Sequence, residues 1–334
     1  MTTAPLPLGD AALERVVADG LVEVERRLAA AVSSTEILAD APSRHLVNAG
    51  GKRMRPALAL LTAQLGSGTS DAVLEAAVAV ELTHLATLYH DDVMDSAPTR
   101  RGAPSAHEVW GNSVAILTGD LLFARASRLV SELGPDAVRV QAETFERLCL
   151  GQLHETIGPQ DGEDAVEHYL DVLAGKTGSL IAASAQYGAM FSGVGADALG
   201  TVVRYGEKVG VAFQLADDVI DLLSDADVTG KTPGTDLREG VATMPVLLLR
   251  ARADRGAVDD AGRAVLERLD GDLSDDAALD AVLAELRAHD VLDEARDLAR
   301  AWAADAVAEL DGLPDSPVKR ALAVFASLVV DRLA

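Results

Sequence analysis

Thr87-Leu88-Tyr89-His90-Asp91-Asp92-Val93-Met94-Asp95 closes one long apolar run, and Phe213-Gln214-Leu215-Ala216-Asp217-Asp218-Val219-Ile220-Asp221 closes another with the same pattern. In an α-helix, positions i and i+4 share a face about 6 Å apart. Asp91 then stands with Asp95, and Asp217 with Asp221, so each helix end offers a cluster of hard oxygen donors. Pro98 disfavours helical geometry at Ala97, and residues 224–230 are rich in turn formers, so both cassettes fall at helix C-termini. Carboxylates placed there meet the negative end of the helix dipole and repel one another. Bound cations would relieve both effects. Magnesium suits the donor set, because it prefers oxygen, keeps several waters and is commonly held by one or two carboxylates together with phosphates.

Helical periodicity extends from the cassettes along most of the chain. Apolar residues recur at three- and four-residue spacing near 10–32, 54–65, 70–95, 113–133, 136–156, 163–191, 196–224, 243–253 and 290–311. The acidic stretch 254–290 reads as shorter exposed helices. No segment reads as a strand. The breaks at Gly50-Gly51, Pro98 to Pro104, Gly158-Pro159, Gly193 to Gly195 and Thr229 to Gly240 are short connections, and no low-complexity linker divides the chain. An all-α fold of one domain over residues 1–334 is expected.

Composition excludes several function classes. A formal charge of -24 over 334 residues argues against nucleic acid as a partner, because backbone phosphates require a broad basic surface. No run of 18 uncharged apolar residues occurs, and MTTAPLPLGD lacks the basic start and apolar core of a signal peptide, so a soluble cytoplasmic protein without a transmembrane segment is expected. The single cysteine, Cys149, reads as a core residue.

In so acidic a chain the few basic clusters carry information. Gly50-Gly51-Lys52-Arg53-Met54-Arg55-Pro56 sets three cations in a loop entering a helix, where the positive dipole end and free N–H groups favour an anion such as a diphosphate. Thr99-Arg100-Arg101-Gly102 follows the first cassette closely, and adjacent guanidiniums can address two phosphates. Lys176 in Gly175-Lys176-Thr177-Gly178 and Lys231 in Gly230-Lys231-Thr232 lack both the spacing and the strand of a P-loop. His84 lies on the helix of the first cassette, as a packed core residue or as a further phosphate donor.

GGKRMRP, LATLYHDDVMD, TRRG, GKTG, FQLADDVID and GKTPGTDLREG, in this order, resemble the trans-isoprenyl diphosphate synthases, or polyprenyl synthetases, over about residues 45–250. The resemblance implies an orthogonal all-helical bundle around a central cavity, the type I isoprenoid synthase fold, usually as a homodimer, with the two cassettes facing each other. It implies that Asp91, Asp95 and Asp217 ligate magnesium, three ions per site, with Asp92, Asp218 and Asp221 ligating or ordering metal-bound water. Arg100, Lys176, Thr177, Gln214 and Lys231 would hold an allylic prenyl diphosphate, and Lys52, Arg55, His84 and Arg101 isopentenyl diphosphate. The reaction implied is head-to-tail chain elongation. It needs no side-chain nucleophile, in keeping with the lack of a Ser-His-Asp or Cys-His pattern.

Two details modify the resemblance. Many relatives carry lysine after Arg-Glu-Gly, whereas this chain reads Arg238-Glu239-Gly240-Val241, leaving Lys231 and Arg238 for that end of the site. Ala86 and Thr87, one turn before Asp91, take positions where short-chain members often place an aromatic floor, and the first cassette lacks the two-residue insertion of bacterial short-chain members. A medium- or long-chain product (C25–C50) is therefore expected, with geranylgeranyl diphosphate as the alternative. Leu82, Phe123 and Leu153 are other candidates for a floor. A class I terpene cyclase would lack GGKRMRP, and a noncatalytic partner subunit need not keep both cassettes.

Overall fold

A computed structural model of the chain describes residues 6–223, 234–238 and 240–331. Helices dominate, and two two-residue strands, β1 Thr99–Arg100 and β2 Ala103–Pro104, form a hairpin that helical periodicity could not reveal. Two compact units are present, one of Met1–Arg147, Ser179–Glu207 and Val307–Phe325, the other of Leu148–Gly178, Lys208–Ala306 and Ala326–Ala334.

The first unit is built on α1 (Ala11–Val32), α2 (Ile37–Asn48), α3 (Met54–Ala63), α4 (Asp71–Met94), a short α5 (Ala106–Trp110), α6 (Asn112–Leu133) and the first part of α7 (Pro135–Ile157). Ser70 starts α4 by accepting the Val73 N–H at its Oγ, a side-chain cap that satisfies one orphan donor. No glycine or proline interrupts the 24 residues that follow, and its side chains are buried nearly all round, as expected of a helix apolar on every face. By length and composition α4 could cross a membrane, but 72% of its apolar window is buried inside the protein, so here it is the core helix.

Close helix crossings rest on glycine. A Cβ on Gly119 of α6 would lie 2.3 Å from His90 Nε2 of α4, and one on Gly188 of α9 (Ser179–Phe191) would lie 2.0 Å from the Ala59 carbonyl of α3. α2 was not foreseen, because Pro42 interrupts its pattern. The terminal helix Pro317–Val330 was missed as well.

The second unit holds the end of α7, α8 (Ala165–Leu173), a π-helical turn at Ala174–Gly178, the C-terminal part of α10 (Ala196–Leu223) and the helices Met244–Asp254, Asp260–Leu269, Asp276–Ala288 and Val291–Glu309. The continuous helix expected over 163–191 is thus broken by the π turn. Cys149, expected in the core, is exposed on α7.

Candidate active site

In the first unit α4 stops at the first cassette. The Asp95 N–H bonds Asp91 O at 2.8 Å, the Ala97 N–H bonds Asp92 O at 3.0 Å, and Ser96 takes a left-handed φ of 51°. The three carboxylates fare differently. Asp91 is half-buried, Asp95 exposed and Asp92 fully buried, with Arg100 Nε donating to Asp92 Oδ1 at 2.6 Å. Burial raises the Asp92 pKa from its ordinary value, and Arg100, His107 and His45 act in the opposite direction.

The β1–β2 hairpin carries both arginines of TRRG back over the helix. Its turn uses left-handed backbone at Arg101 and Gly102, and the Pro104 carbonyl lies 2.7 Å from His45 Nε2. Arg101 Nη1 donates to the Leu46 carbonyl at 3.2 Å and also to that of Gly50. Gly51, at φ 155°, permits this docking, since a Cβ there would sit 3.0 Å from the Arg101 guanidinium carbon. In the GGKRMRP loop Lys52 is exposed and Arg55 half-buried, but Arg53 is only 3% exposed and turned inward onto Glu25 and Glu81. Of the three cations read there as an anion site, one belongs to the core.

His84, on α4, feels several of these charges. It keeps some exposed surface, yet its pKa is held well below the ordinary 6.5, first by burial and then by Arg55, Arg101, Arg53 and Arg100. The imidazole is therefore neutral at neutral pH, in a field that favours an anion. Above pH 6.5 folded and unfolded states are both neutral here, so pH has no effect through this group. Below 6.5 the unfolded chain takes up a proton that the folded one resists, and stability falls by up to about 1.4 kcal/mol per pH unit. Denaturant unfolding at pH 7.0 and 5.5 is expected to show a smaller acid loss for His84→Gln than for the wild type. Equal losses would refute the depressed value.

In the second unit the GKTG motif is the π turn itself, a feature that often marks functional positions. Two glycines clamp it. A Cβ on Gly151 of α7 would lie 2.7 Å from the Lys176 N, and one on Gly210 of α10 would lie 2.6 Å from the Gly178 Cα. Sequence reasoning overlooked both, although a glycine inside an apolar helical run was the available signal. The clamp brings Thr177 Oγ1 to 3.3 Å from Gln214 Oε1, and Lys176 Nζ donates to Glu155 Oε2 at 2.5 Å.

The second cassette repeats the burial pattern of the first. Asp217 and Asp221 are half-buried, whereas Asp218 is 2% exposed and its Oδ2 accepts from Tyr169 OH at 3.0 Å and from the Met244 N–H at 3.4 Å. Arg287 Nε donates to the Leu222 carbonyl at 2.6 Å, which satisfies one orphan acceptor where α10 ends. In each cassette, then, the middle carboxylate is tied into its own unit.

Within neither unit do three acidic or imidazole side chains among the described residues gather closely enough to hold a metal by themselves. Lys231 lies outside the described residues. Arg238 pairs with Asp276 at 2.5 Å, and Val241 is 38% exposed.

Comparison with known proteins agrees with this chemistry. The polyprenyl synthetase family model matches residues 36–285, beyond the motif-bearing stretch at both ends. A nonaprenyl diphosphate synthase of Mycobacterium tuberculosis is 46% identical over 98% of this chain and 97% of its own length. A dimethylallyltranstransferase of the same species is 40% identical over 95% of each. Among solved structures, a geranylgeranyl pyrophosphate synthase of Corynebacterium glutamicum, complexed with calcium and isoprenyl diphosphate, matches with a TM-score of 0.85 at 44% identity, covering 98% of this chain and 100% of that one. The family match, these identities and the shared fold lead to one conclusion: the chain belongs to the polyprenyl synthetase family and is a prenyltransferase of the all-α isoprenoid synthase fold.

Proposed function

We propose that the protein condenses isopentenyl diphosphate with an allylic prenyl diphosphate, head to tail, to give a medium- or long-chain all-trans product (C25–C50). The observation that carries this reading is that the hairpin turn docks Arg101 onto the GGKRMRP loop, through the Leu46 and Gly50 carbonyls, beside the acidic end of α4, with Arg55 and Arg101 both acting on a His84 held neutral two turns before Asp91. Lys52, Arg55, His84 and Arg101 hold isopentenyl diphosphate. Arg100, Lys176, Thr177, Gln214 and Lys231 hold the allylic diphosphate.

Asp91, Asp95, Asp217 and Asp221 would hold magnesium, three ions in all, which when bound would neutralise charge on the allylic diphosphate. Asp92 and Asp218 each order their own helix end, Asp92 through Arg100 and Asp218 through Tyr169 and the Met244 N–H. As the allylic C–O bond breaks, Arg100, Lys176 and Lys231 stabilise the negative charge that grows on the leaving diphosphate. Thr177 and Gln214 present oxygen lone pairs toward the allylic cation. The isopentenyl double bond, held at a fixed distance by its own diphosphate site, attacks that cation to form the new C–C bond. A proton is then lost to the released pyrophosphate.

A single domain is part of the same reading, because α7, α10 and the helix Pro317–Val330 each pass from one unit into the other without a break. So is a homodimer in the cytoplasm. α6 and the first part of α7 leave Ile116, Leu117, Val138 and Phe145 exposed, an apolar set that a second copy would cover.

Product length is read from α4. Ala86 is fully buried, while Thr87 keeps exposed surface, so Thr87 is the one of the pair that borders open space. Thr87→Phe is expected to shorten the product, seen by chromatography of dephosphorylated prenols, and an unchanged distribution would move the floor elsewhere. Ala86→Phe instead overfills packed space and costs about 1–3 kcal/mol. The product named for the 46%-identical relative supports the longer range. Geranylgeranyl diphosphate is the second reading, favoured by Phe123, whose ring lies tilted 4.4 Å from Phe145 and 5.8 Å from His90, centroid to centroid. Of the other floor candidates, Leu82 is fully buried and Leu153 is exposed.

The deciding assay incubates purified protein with magnesium, labelled isopentenyl diphosphate and farnesyl diphosphate. Linear prenyl products are expected, and their loss on chelation. Cyclised hydrocarbon would indicate a cyclase, and no turnover without an added subunit would indicate a partner protein.

A further inference from the structure

Arg53 has the wrong surroundings for a ligand-binding residue and the wrong backbone for a casual one. Its guanidinium is buried between three partners. Nε donates to Glu25, Nη1 to Glu81 Oε1 at 2.7 Å, and Nη2 to the Val47 carbonyl at 3.4 Å. Glu81, on α4, is itself only 2% exposed. Arg53 also caps α3 in left-handed geometry, φ 51° and ψ 36°. A residue with a Cβ adopts that conformation at an energetic cost, and it persists only where the surroundings over-determine it.

The distribution of such residues is informative. Among the described residues, three non-glycine positions have positive φ, namely Arg53, Ser96 and Arg101, and all three lie in the turns that carry the first-unit phosphate and metal candidates. Arg53 and Arg101 also meet at the end of α2, where they donate to the Val47 carbonyl and to the Leu46 and Gly50 carbonyls respectively. Guanidiniums suit that negative helix terminus. The loop 50–53 is thereby held at both ends.

We infer that Glu81 and Arg53 are positioning residues for the isopentenyl diphosphate subsite: their buried ion pair, braced by Glu25, sets the left-handed turn that carries Lys52 and Arg55 at a fixed spacing from His84 and Arg101. This rests on the assignment of Lys52, Arg55, His84 and Arg101 to that substrate. Stability alone does not require such a pair, since well-packed apolar side chains of similar volume commonly replace a buried ion pair without loss. Its use is geometric. Glu81 stands one turn before His84 on α4, so one rigid helix supplies both the anchor of the loop and the imidazole the loop must meet. Lysine at position 53 would keep the charge but not the fork that reaches two carboxylates at once.

The test compares Glu81→Gln, the double variant Arg53→Met/Glu81→Met, Arg53→Lys and, as a reference, Lys52→Ala. Steady-state kinetics are run with each diphosphate varied separately, and thermal unfolding is recorded. Glu81→Gln and the double variant are expected to raise KM for isopentenyl diphosphate roughly tenfold, about the loss of one charge-assisted contact, with kcat and the allylic KM nearly unchanged. The double variant should unfold close to the wild-type temperature, and Arg53→Lys should restore KM only in part. If both KM values rise together, or kcat alone falls, the role is general packing and the inference is overturned. If Lys52→Ala raises the isopentenyl diphosphate KM while Glu81→Gln and the double variant do not, positioning is overturned and the subsite stands. If Lys52→Ala has no effect either, the subsite assignment fails and this inference with it.

Discussion

Asp91→Ala and Asp217→Ala are each expected to reduce product formation about a thousand-fold or more without unfolding the protein, because in the proposed site each supplies an oxygen donor for charge neutralisation of the leaving diphosphate. Stability should move the other way. Asp91 sits at the C-terminal end of α4 among like charges, where removing a carboxylate relieves dipole and carboxylate repulsion worth about 0.3–1 kcal/mol. Asp91→Ala should therefore be inactive yet folded.

Its neighbour gives the contrast. Asp92→Ala strips the half-buried Arg100 of its buried carboxylate partner and should cost about 1.5–3 kcal/mol in denaturant unfolding. Two adjacent aspartates of one motif would then separate into one needed for turnover and one needed for the fold. Retained turnover in Asp91→Ala would remove the metal assignment. A merely unstable Asp91→Ala would show that the carboxylate serves packing.

The second large effect is expected from a methyl group. Gly210→Ala places a Cβ 2.6 Å from the Gly178 Cα, backbone against side chain, so α10 or the π turn must shift. Lys176 and Thr177 ride on that turn, and a displacement near 1 Å at a reacting site costs about a hundred-fold. kcat/KM should fall by that order. Overpacking should also cost about 1–3 kcal/mol.

The same substitution elsewhere on α10 supplies the control. A Cβ on Gly200 would meet only Arg204 Nη1, at 3.5 Å. Gly200→Ala should gain about 0.5–1 kcal/mol of helix stability with unchanged kinetics. Kinetics of Gly210→Ala equal to the wild type would show that the π turn need not be held where it is.

Much of this protein was legible along the chain. The helices at 11–32, 71–94, 112–133 and 196–223 begin and end within a residue or so of their apolar periodicity, because amphipathic spacing and breaking residues act over a few neighbours. The cassettes were legible for the same reason, since two carboxylates one turn apart share a face wherever the helix lies. α2 was hidden by Pro42, and the β1–β2 hairpin was too short to carry a period. Cys149 was misjudged, because an apolar residue on an outward helix face has the same local pattern as one facing the core.

Residue type and spacing thus decided the all-helical class, the acidic helix ends and the kind of ligand such ends and their flanking cations attract. Packing between distant segments decided which member of each motif stays at the surface and which is turned into the core. Arg53 finds Glu25 and Glu81, Asp218 finds Tyr169 and the Met244 N–H, and the GKTG turn is shaped by Gly151 and Gly210. Periodicity is a property of adjacent residues, whereas the partner of a buried charge is selected by whichever segment the folded chain lays against it.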